Sequence, residues 1–308
     1  MPATTPAHRT PPPYVHHAAT LTVTGLMLLF VAWFSAYSIH LHDAQLTHKS
    51  DLGQMDQAIW NTAHGRFVQS TREAQPSNRL TDHVEPIFLP VSFVFWLWDD
   101  VRALLVLQAV FLAAGAWPIY LLARGRLAAH LHAGLAAWGG AAFAAAYLLV
   151  PALQAAAVSE FHALPLAAPL IAAALWAVES RRWGWFVLAA ALVAMTQEGA
   201  ALLSATLGLY AAARAVFAPR DAGVRRLPGL VAGAGVALFG LAWFYVATFV
   251  IIPRFAAEAY AIGQTPYAAR YGALGDSFAD VVLALVTQPL AVLRIAAEPL
   301  RAGYLAGL

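Results

Sequence analysis

The chain contains no cysteine, and Lys49 is the one lysine among its 18 basic residues. Without cysteine there are no disulfides, no thiolate nucleophiles and no Cys-ligated metals. Charge is scarce as well: 11% of the 308 residues are charged and 61% are hydrophobic, where soluble domains carry about 25% charge. A deficit spread over the whole length, with a mean hydropathy of +0.64, is the composition of a multi-pass membrane protein. The net charge of +2 and the lack of any basic run exclude nucleic acid as a partner. There is no G-x-x-x-x-G-K loop, no H-E-x-x-H pair and no G-x-S-x-G elbow, which excludes recognisable ATPase, zincin and α/β-hydrolase chemistry. No internal repeat is visible, and this weighs against transporters built on inverted repeats. Alanine and arginine are abundant where lysine is nearly absent, a compositional association with GC-rich bacterial genomes.

Long apolar runs come next. Segments near 18–40, 101–123, 133–150, 161–179 and 229–252 each approach the ~20 residues that an α-helix needs to cross a bilayer. Residues 1–17 are Pro-rich and read as a disordered N-terminus. Residues 86–98 are apolar but too short to span upright, so they read as interfacial or re-entrant. Residues 184–217 pose the opposite problem. As one straight helix they would extend ~50 Å, well past a hydrocarbon core of ~30 Å. The polar Thr196-Gln197-Glu198-Gly199 in their middle predicts two helices meeting at Gln197–Glu198. The resulting expectation is an all-α membrane protein of about seven spanning or re-entrant helices over 18–308, with an amphipathic external helix after the first span. The chain ends where an apolar run begins, as expected of a piece of a longer protein.

Arginine placement orients the spans. The loops carrying Arg124 and Arg126, Arg181 and Arg182, and Arg214 to Arg226 fall on one side if residues 184–217 enter and return. The N-terminus then lies in the cytoplasm. That side holds nine arginines and two acids, and the other side nine basic and fourteen acidic residues. The motifs around Asp51, His83 and Glu85, Glu160 and His162, Glu198, and Arg254 and Arg270 all fall on the outer side. Ionisable groups at membrane depth are costly and usually functional.

The stretch Asp51 to Gly65 has two readings. Asp51 and Gln54 are spaced as a helix capping box, Leu52, Met55, Ile59 and Ala63 form one stripe, and Gly65 is a natural C-terminal stop. That is a well-capped amphipathic helix lying on the membrane surface. Asp56, Gln57, Asn61 and His64 are then either its wet face or part of a site. Glu160 and His162 are two apart, so a shared role requires non-helical backbone. Gln108 reads as a helix–helix hydrogen-bond partner, and Trp96, Trp98 and Tyr120 as interfacial anchors or packing.

The motifs DLGQMDQAIWNTAHG, DHVEPIFLPVSFVFWLW, LLVLQAVFLAAGAWPIYLLAR, AAYLLVPALQ, SEFHALPLAAPLIAAALW, TQEGAALLSATLGLY and ARYGALGDS together resemble the bacterial membrane family catalogued as domain of unknown function 2079, over roughly 45–308. TQEG departs from that pattern, in which Lys-Glu-Asp or similar is expected, so a lysine role there has no counterpart. The family is similar in layout to the C-type (GT-C) glycosyltransferases, which take sugars from lipid phosphates. The resemblance implies a sugar transferred from a polyprenyl phosphate to an envelope acceptor on the outer face of the bacterial cytoplasmic membrane. It makes an acid of the first external loop essential, mapping to Asp51 with Asp56 second. Glu198 completes the catalytic set.

Such a reaction needs a carboxylate to deprotonate the acceptor hydroxyl and cations to stabilise the departing phosphate. Arg254 and Arg270 serve the second need, with His83 beside them. An apolar groove for the prenyl chain would be lined by 86–98. Glu85, Glu160 and His162 join His83 as substrate-binding candidates. A divalent cation, Mg²⁺ or Mn²⁺, is compatible with mixed carboxylate and imidazole ligands among Asp51, Asp56, His83, Glu85, Glu160, His162 and Glu198, but no ligand spacing is diagnostic. The alternative is a non-enzymatic transporter or lipid-handling protein, with Glu198 and the histidines as an ion or proton relay.

Overall fold

The computed structural model describes residues 13–47, 51–72, 75–217, 226–256, 274–275 and 278–297. The chain is almost entirely helical. Helix α1 spans Pro13–Asp43, starting ahead of the expected residue 18, and α2 spans Asp51–Ala63. A short antiparallel hairpin follows, β1 Gln69–Arg72 and β2 Gln75–Asn78, then a 3-10 turn over Arg79–Thr81. The apolar 86–98 segment forms two short helices, α3 Phe88–Ser92 and α4 Val94–Leu97. Then come α5 Arg102–Ala114, α6 Ala116–Leu127, α7 Ala133–Leu148, α8 Pro151–Val158 and α9 Ala167–Glu179. Helices α10 Trp183–Thr196 and α11 Ala200–Val216 are separate, broken at Gln197–Gly199. Helix α12, Arg226–Val246, continues through a π-turn, Ala247–Ile251, into α13, Ile252–Ala256. Two further helices, α14 Phe278–Thr287 and α15 Pro289–Ala296, close the described residues.

Among the described residues three helices are long and apolar enough to cross a membrane: His17–Asp43, Arg102–Leu127 and Arg226–Ala256. The expected 133–150 span becomes a fourth only as a pair, since α7 and α8 are bent by 51° at Leu149–Val150, where Pro151 starts a new helix. Segments 88–97, 164–179, 183–196 and 200–216 are apolar but shorter. The expected 229–252 span is longer than expected, and the Pro253-Arg254-Phe255 motif is helical rather than a loop.

Two features fix the ends of the bundle. At one end Glu179 of α9 accepts from Arg214 of α11 at 3.0 Å, pairs with Arg126 of α6, and accepts from the Tyr210 hydroxyl. Trp183, opening α10, lies against Gly229 at the start of α12, beside Ala215 at the end of α11. So α10 and α11 leave this end and come back to it, as the two-helix reading requires, and their break lies at the opposite end. Helices α11 and α12 run antiparallel in near-backbone contact through Gly208, Gly233 and Gly240. Small residues permit this approach where the surrounding medium offers no hydrophobic drive of its own.

The interior divides into apolar clusters. One joins α1 to α5–α8 through Phe30, Leu112, Tyr120 and Leu148. A second joins α9, α10, α11 and α12 through Phe186, Val193 and Val236. The third is built by α2, α3, α5 and the 161–166 turn: Leu52, Met55, Ile59, Phe88, Leu104, Phe161 and Leu166. Tyr120 is fully buried, packing rather than anchoring at an interface, while Trp96 and Trp98 are exposed.

Candidate functional site

The acids and imidazoles singled out by sequence gather at the end opposite the Glu179 cluster. The break between α10 and α11 exposes a short stretch of backbone there, and the 79–87 loop covers it. Ile87 N–H donates to the Met195 carbonyl at 3.0 Å, which satisfies a group freed by the end of α10. Glu198, 2% exposed, then accepts two hydrogen bonds from that loop. Val84 N–H donates to Oε2 and His83 Nδ1 lies on Oε1, each at 2.9 Å. A carboxylate there requires Nδ1 to carry its proton, so a neutral His83 keeps its lone pair on Nε2. The Gln197 amide also reaches His83 Nδ1, at 3.1 Å. A protonated Nδ1 cannot accept from an amide N–H, so Gln197 offers its oxygen there, the two ends of an amide being exchangeable by a flip. The His83 side chain remains 20% exposed.

Glu85, beside this pair, is also buried and accepts from Arg79 Nε at 2.8 Å. Val84 packs against Ala247, Ile252 and Ala256, so the π-turn and α13 form the wall behind the loop. Arg254 is exposed on α13. Arg270 lies outside the described residues.

The second group surrounds the N-terminus of α2. Residues 159–163 are non-helical, which resolves the i, i+2 spacing of Glu160 and His162. Gln108, 1% exposed, holds this turn from α5: its amide donates to the Ala156 carbonyl at 2.6 Å and its oxygen accepts from His162 N–H at 2.9 Å. Glu160, 6% exposed, accepts from Leu52 N–H at 2.9 Å. An acid in contact with the first N–H groups of a helix is favoured by its dipole, so this end of α2 is bound by Glu160 from a distant turn and not by a local box alone. Asp51 keeps a half-exposed carboxylate, 3.8 Å from His162 Nε2, while His162 Nδ1 lies 2.8 Å from the Glu160 carbonyl. Gly65 does end the helix in the left-handed region, at φ +77°.

The remaining polar residues of α2 have structural work. Gln57 accepts from both N–H and hydroxyl of Thr71, and Asn61 donates to the Gln69 carbonyl and accepts from Arg66. They bind the hairpin to the helix. His64 stacks on Trp60 at 3.9 Å. The apolar stripe faces the third core cluster rather than a membrane surface. That corrects the expectation of a helix lying on the bilayer: an amphipathic stripe is equally satisfied by protein.

Asp56 lies with Asp99 and Asp100. Partial burial, and then Asp100 and Asp99, push its carboxyl above the usual range, and His42 opposes the shift. A folded-state value above the unfolded one is a contribution to stability present at acid pH and lost as pH rises through it. Asp56→Asn should therefore raise the melting temperature at pH 7. The gain should vanish below the ordinary aspartate range, as thermal scans in detergent at the two pH values would show. An unchanged gain at acid pH would rule out titration as its source.

Arg79 and Gln197 were not visible as partners in the sequence: nothing local pairs Arg79 with Glu85, and only the fold brings Gln197 to His83. Among the described residues no group of three or more His, Asp or Glu is placed to hold a metal ion. Two of the candidate donors are engaged, Glu198 by His83 and Val84 and Glu85 by Arg79. The described residues do not assemble a metal site.

The described residues therefore define a helical membrane protein with a one-ended cluster of buried carboxylates and partly exposed imidazoles. The family described as "Predicted membrane protein (DUF2079)" matches residues 42–307, and the chain belongs to it. No curated protein and no solved structure matches significantly.

Proposed function

We propose that the protein is a membrane glycosyltransferase that moves a sugar from a polyprenyl phosphate to an envelope acceptor, working at the end where Glu198 holds His83. The observation that carries this reading is the buried Glu198–His83 pair at a helix break, with Asp51, Glu85, Glu160, His162 and Arg254 at the same end. Among the described residues the middles of the three long apolar helices contain no Asp, Glu, Lys, Arg or His, so none of the three carries an ionisable path across the bundle. That favours one-ended chemistry over the transport alternative.

The arginine-rich end faces the cytoplasm by the positive-inside rule, and the site faces outward. The shorter apolar helices cross or dip into the bilayer beside the three long ones, giving about seven in all. In the reaction, the acceptor hydroxyl oxygen bonds to the anomeric carbon and Asp51 takes its proton. The bond from that carbon to the lipid phosphate oxygen breaks, leaving its electron pair on the phosphate. His83, oriented by Glu198, and Arg254 donate hydrogen bonds to the phosphate and stabilise its charge.

The test deletes the gene in its own host and restores wild type, Asp51→Asn or Glu198→Gln, with envelope glycolipids and glycoproteins compared by mass spectrometry. The expected result is a pentose- or hexose-sized mass that disappears on deletion and returns with wild type alone. Full restoration by Asp51→Asn makes Asp51 structural and moves the base elsewhere. No change in any glycan on deletion ends the transferase reading and promotes the transport one.

A further inference from the structure

The end of the bundle remote from the site has its own unexplained feature. A shallow open groove of about 550 Å³ is lined by Arg182, Trp183, Gly184, Trp185 and Leu188, where α9 turns into α10. Two other arginines at this end are engaged: Arg126 and Arg214 both pair with Glu179. Arg182 makes no ion pair among the described residues. Its guanidinium lies over the Trp176 ring, 5.1 Å from the centroid, which orders the side chain without neutralising it. Trp185 is 60% exposed and Leu188 48%, so an apolar floor continues from the charge along the outside of α10. A Cβ built on Gly184 meets nothing within 4 Å, so the groove is open there.

We infer that this groove binds an anionic phospholipid of the leaflet at the arginine-rich end, its phosphate on Arg182 and its glycerol and upper acyl chains over Trp185 and Leu188. The occupant follows from the charge and the layering. The Arg182 guanidinium sits beside the half-buried Trp183 and the exposed Trp185, indoles being the residues that settle at headgroup depth, and an aliphatic surface follows one helical turn deeper. A soluble anion would use the arginine and leave the apolar floor bare. A zwitterionic lipid would bring its own cation against Arg182, with Arg181 and Arg214 nearby. The groove is separate from the proposed catalytic end, and the inference stands whether or not the chain transfers sugar.

The test is native mass spectrometry of the full chain released from detergent micelles holding equal amounts of phosphatidylglycerol and phosphatidylcholine with the same acyl chains. Wild type should retain phosphatidylglycerol about fivefold over phosphatidylcholine, the factor expected of one arginine near a charged surface. Arg182→Gln should remove the preference. Gly184→Leu, which fills the groove without a clash, should lower retention of both lipids while leaving the charge in place. Equal retention of the two lipids by wild type would overturn the inference. So would a preference unchanged in both variants, which would place the lipid elsewhere. Loss of the preference in millimolar inorganic phosphate would reduce the groove to an ion site and overturn the lipid assignment.

Discussion

Alanine at position 198 should destabilise the protein by about 3–5 kcal/mol, the cost of breaking a buried hydrogen-bonded pair by removing one partner. Val84 N–H loses its acceptor and His83 Nδ1 is left with the Gln197 amide alone, and water is poorly placed to replace the carboxylate where Glu198 is 2% exposed. The effect should spread, because the 79–87 loop also carries the Arg79–Glu85 pair and the contact with α13. Thermal unfolding in detergent reads it directly. Glu198→Gln is the sharper comparison. Its oxygen can still accept from Val84 N–H, so the fold should survive with a smaller loss, but the carboxylate that orients His83 through Nδ1 is gone. The expected pattern is a folded Gln variant that fails to complement and an Ala variant that is both unstable and inactive. A variant at Ala stability within about 0.5 kcal/mol of wild type, the range of ordinary surface changes, would show that the pair does not support the loop.

Leucine at Gly233 should separate α11 from α12. Even a Cβ at this position would lie 2.5 Å from the Ala212 nitrogen and 2.7 Å from the Gly208 carbonyl oxygen. Both are backbone atoms of a helix, so no side chain can rotate away. Overpacking of this kind costs about 1–3 kcal/mol and more where the backbone must move, and Gly233→Leu belongs to the upper end because the facing Gly208 is equally confined, a Cβ there lying 2.4 Å from the Ala237 nitrogen. Gly235, two residues on, has nothing within 4 Å of its Cβ position, and Gly235→Leu serves as the control. A large fall in melting temperature for position 233 and none for 235 is the expected result. Equal tolerance at both would mean that α11 and α12 are not in backbone contact.

Several features were readable from local pattern because local physics produces them. The break inside 184–217 follows from length and from a Glu that an uninterrupted apolar helix cannot hold, and it falls at Gln197–Gly199. The brevity of 88–97 and the stop at Gly65 follow from run length and from glycine's access to positive φ. Gln108 reads as a helix–helix hydrogen-bond partner, and from α5 it does bond the last turn of α8 at the Ala156 carbonyl, as well as the His162 N–H beyond it. The α7–α8 bend was missed, although Pro151 announces it. The glycines of α11 and α12 also carried a signal, since Gly229 and Gly233 are four apart in the small-residue spacing of close helix pairs.

The site is the harder case. Residue types and sidedness grouped these side chains at one end of the bundle, because ionisable groups are excluded from the apolar middles of helices and must collect at their ends. Which acid meets which base was not legible. Glu198 and His83 are 115 residues apart, and Glu160 and Leu52 are 108 apart. No period or spacing encodes such a pair, since any acid at that end satisfies the same local pattern. The stripe of α2 shows the same limit from the apolar side. Sequence alone determined that Leu52, Met55 and Ile59 leave water, because burial of apolar surface depends on composition and helical period. Tertiary structure alone decided that they enter a protein core with Phe88, Leu104 and Phe161, because lipid and protein interior are equally apolar and only the packing of the rest of the chain selects between them.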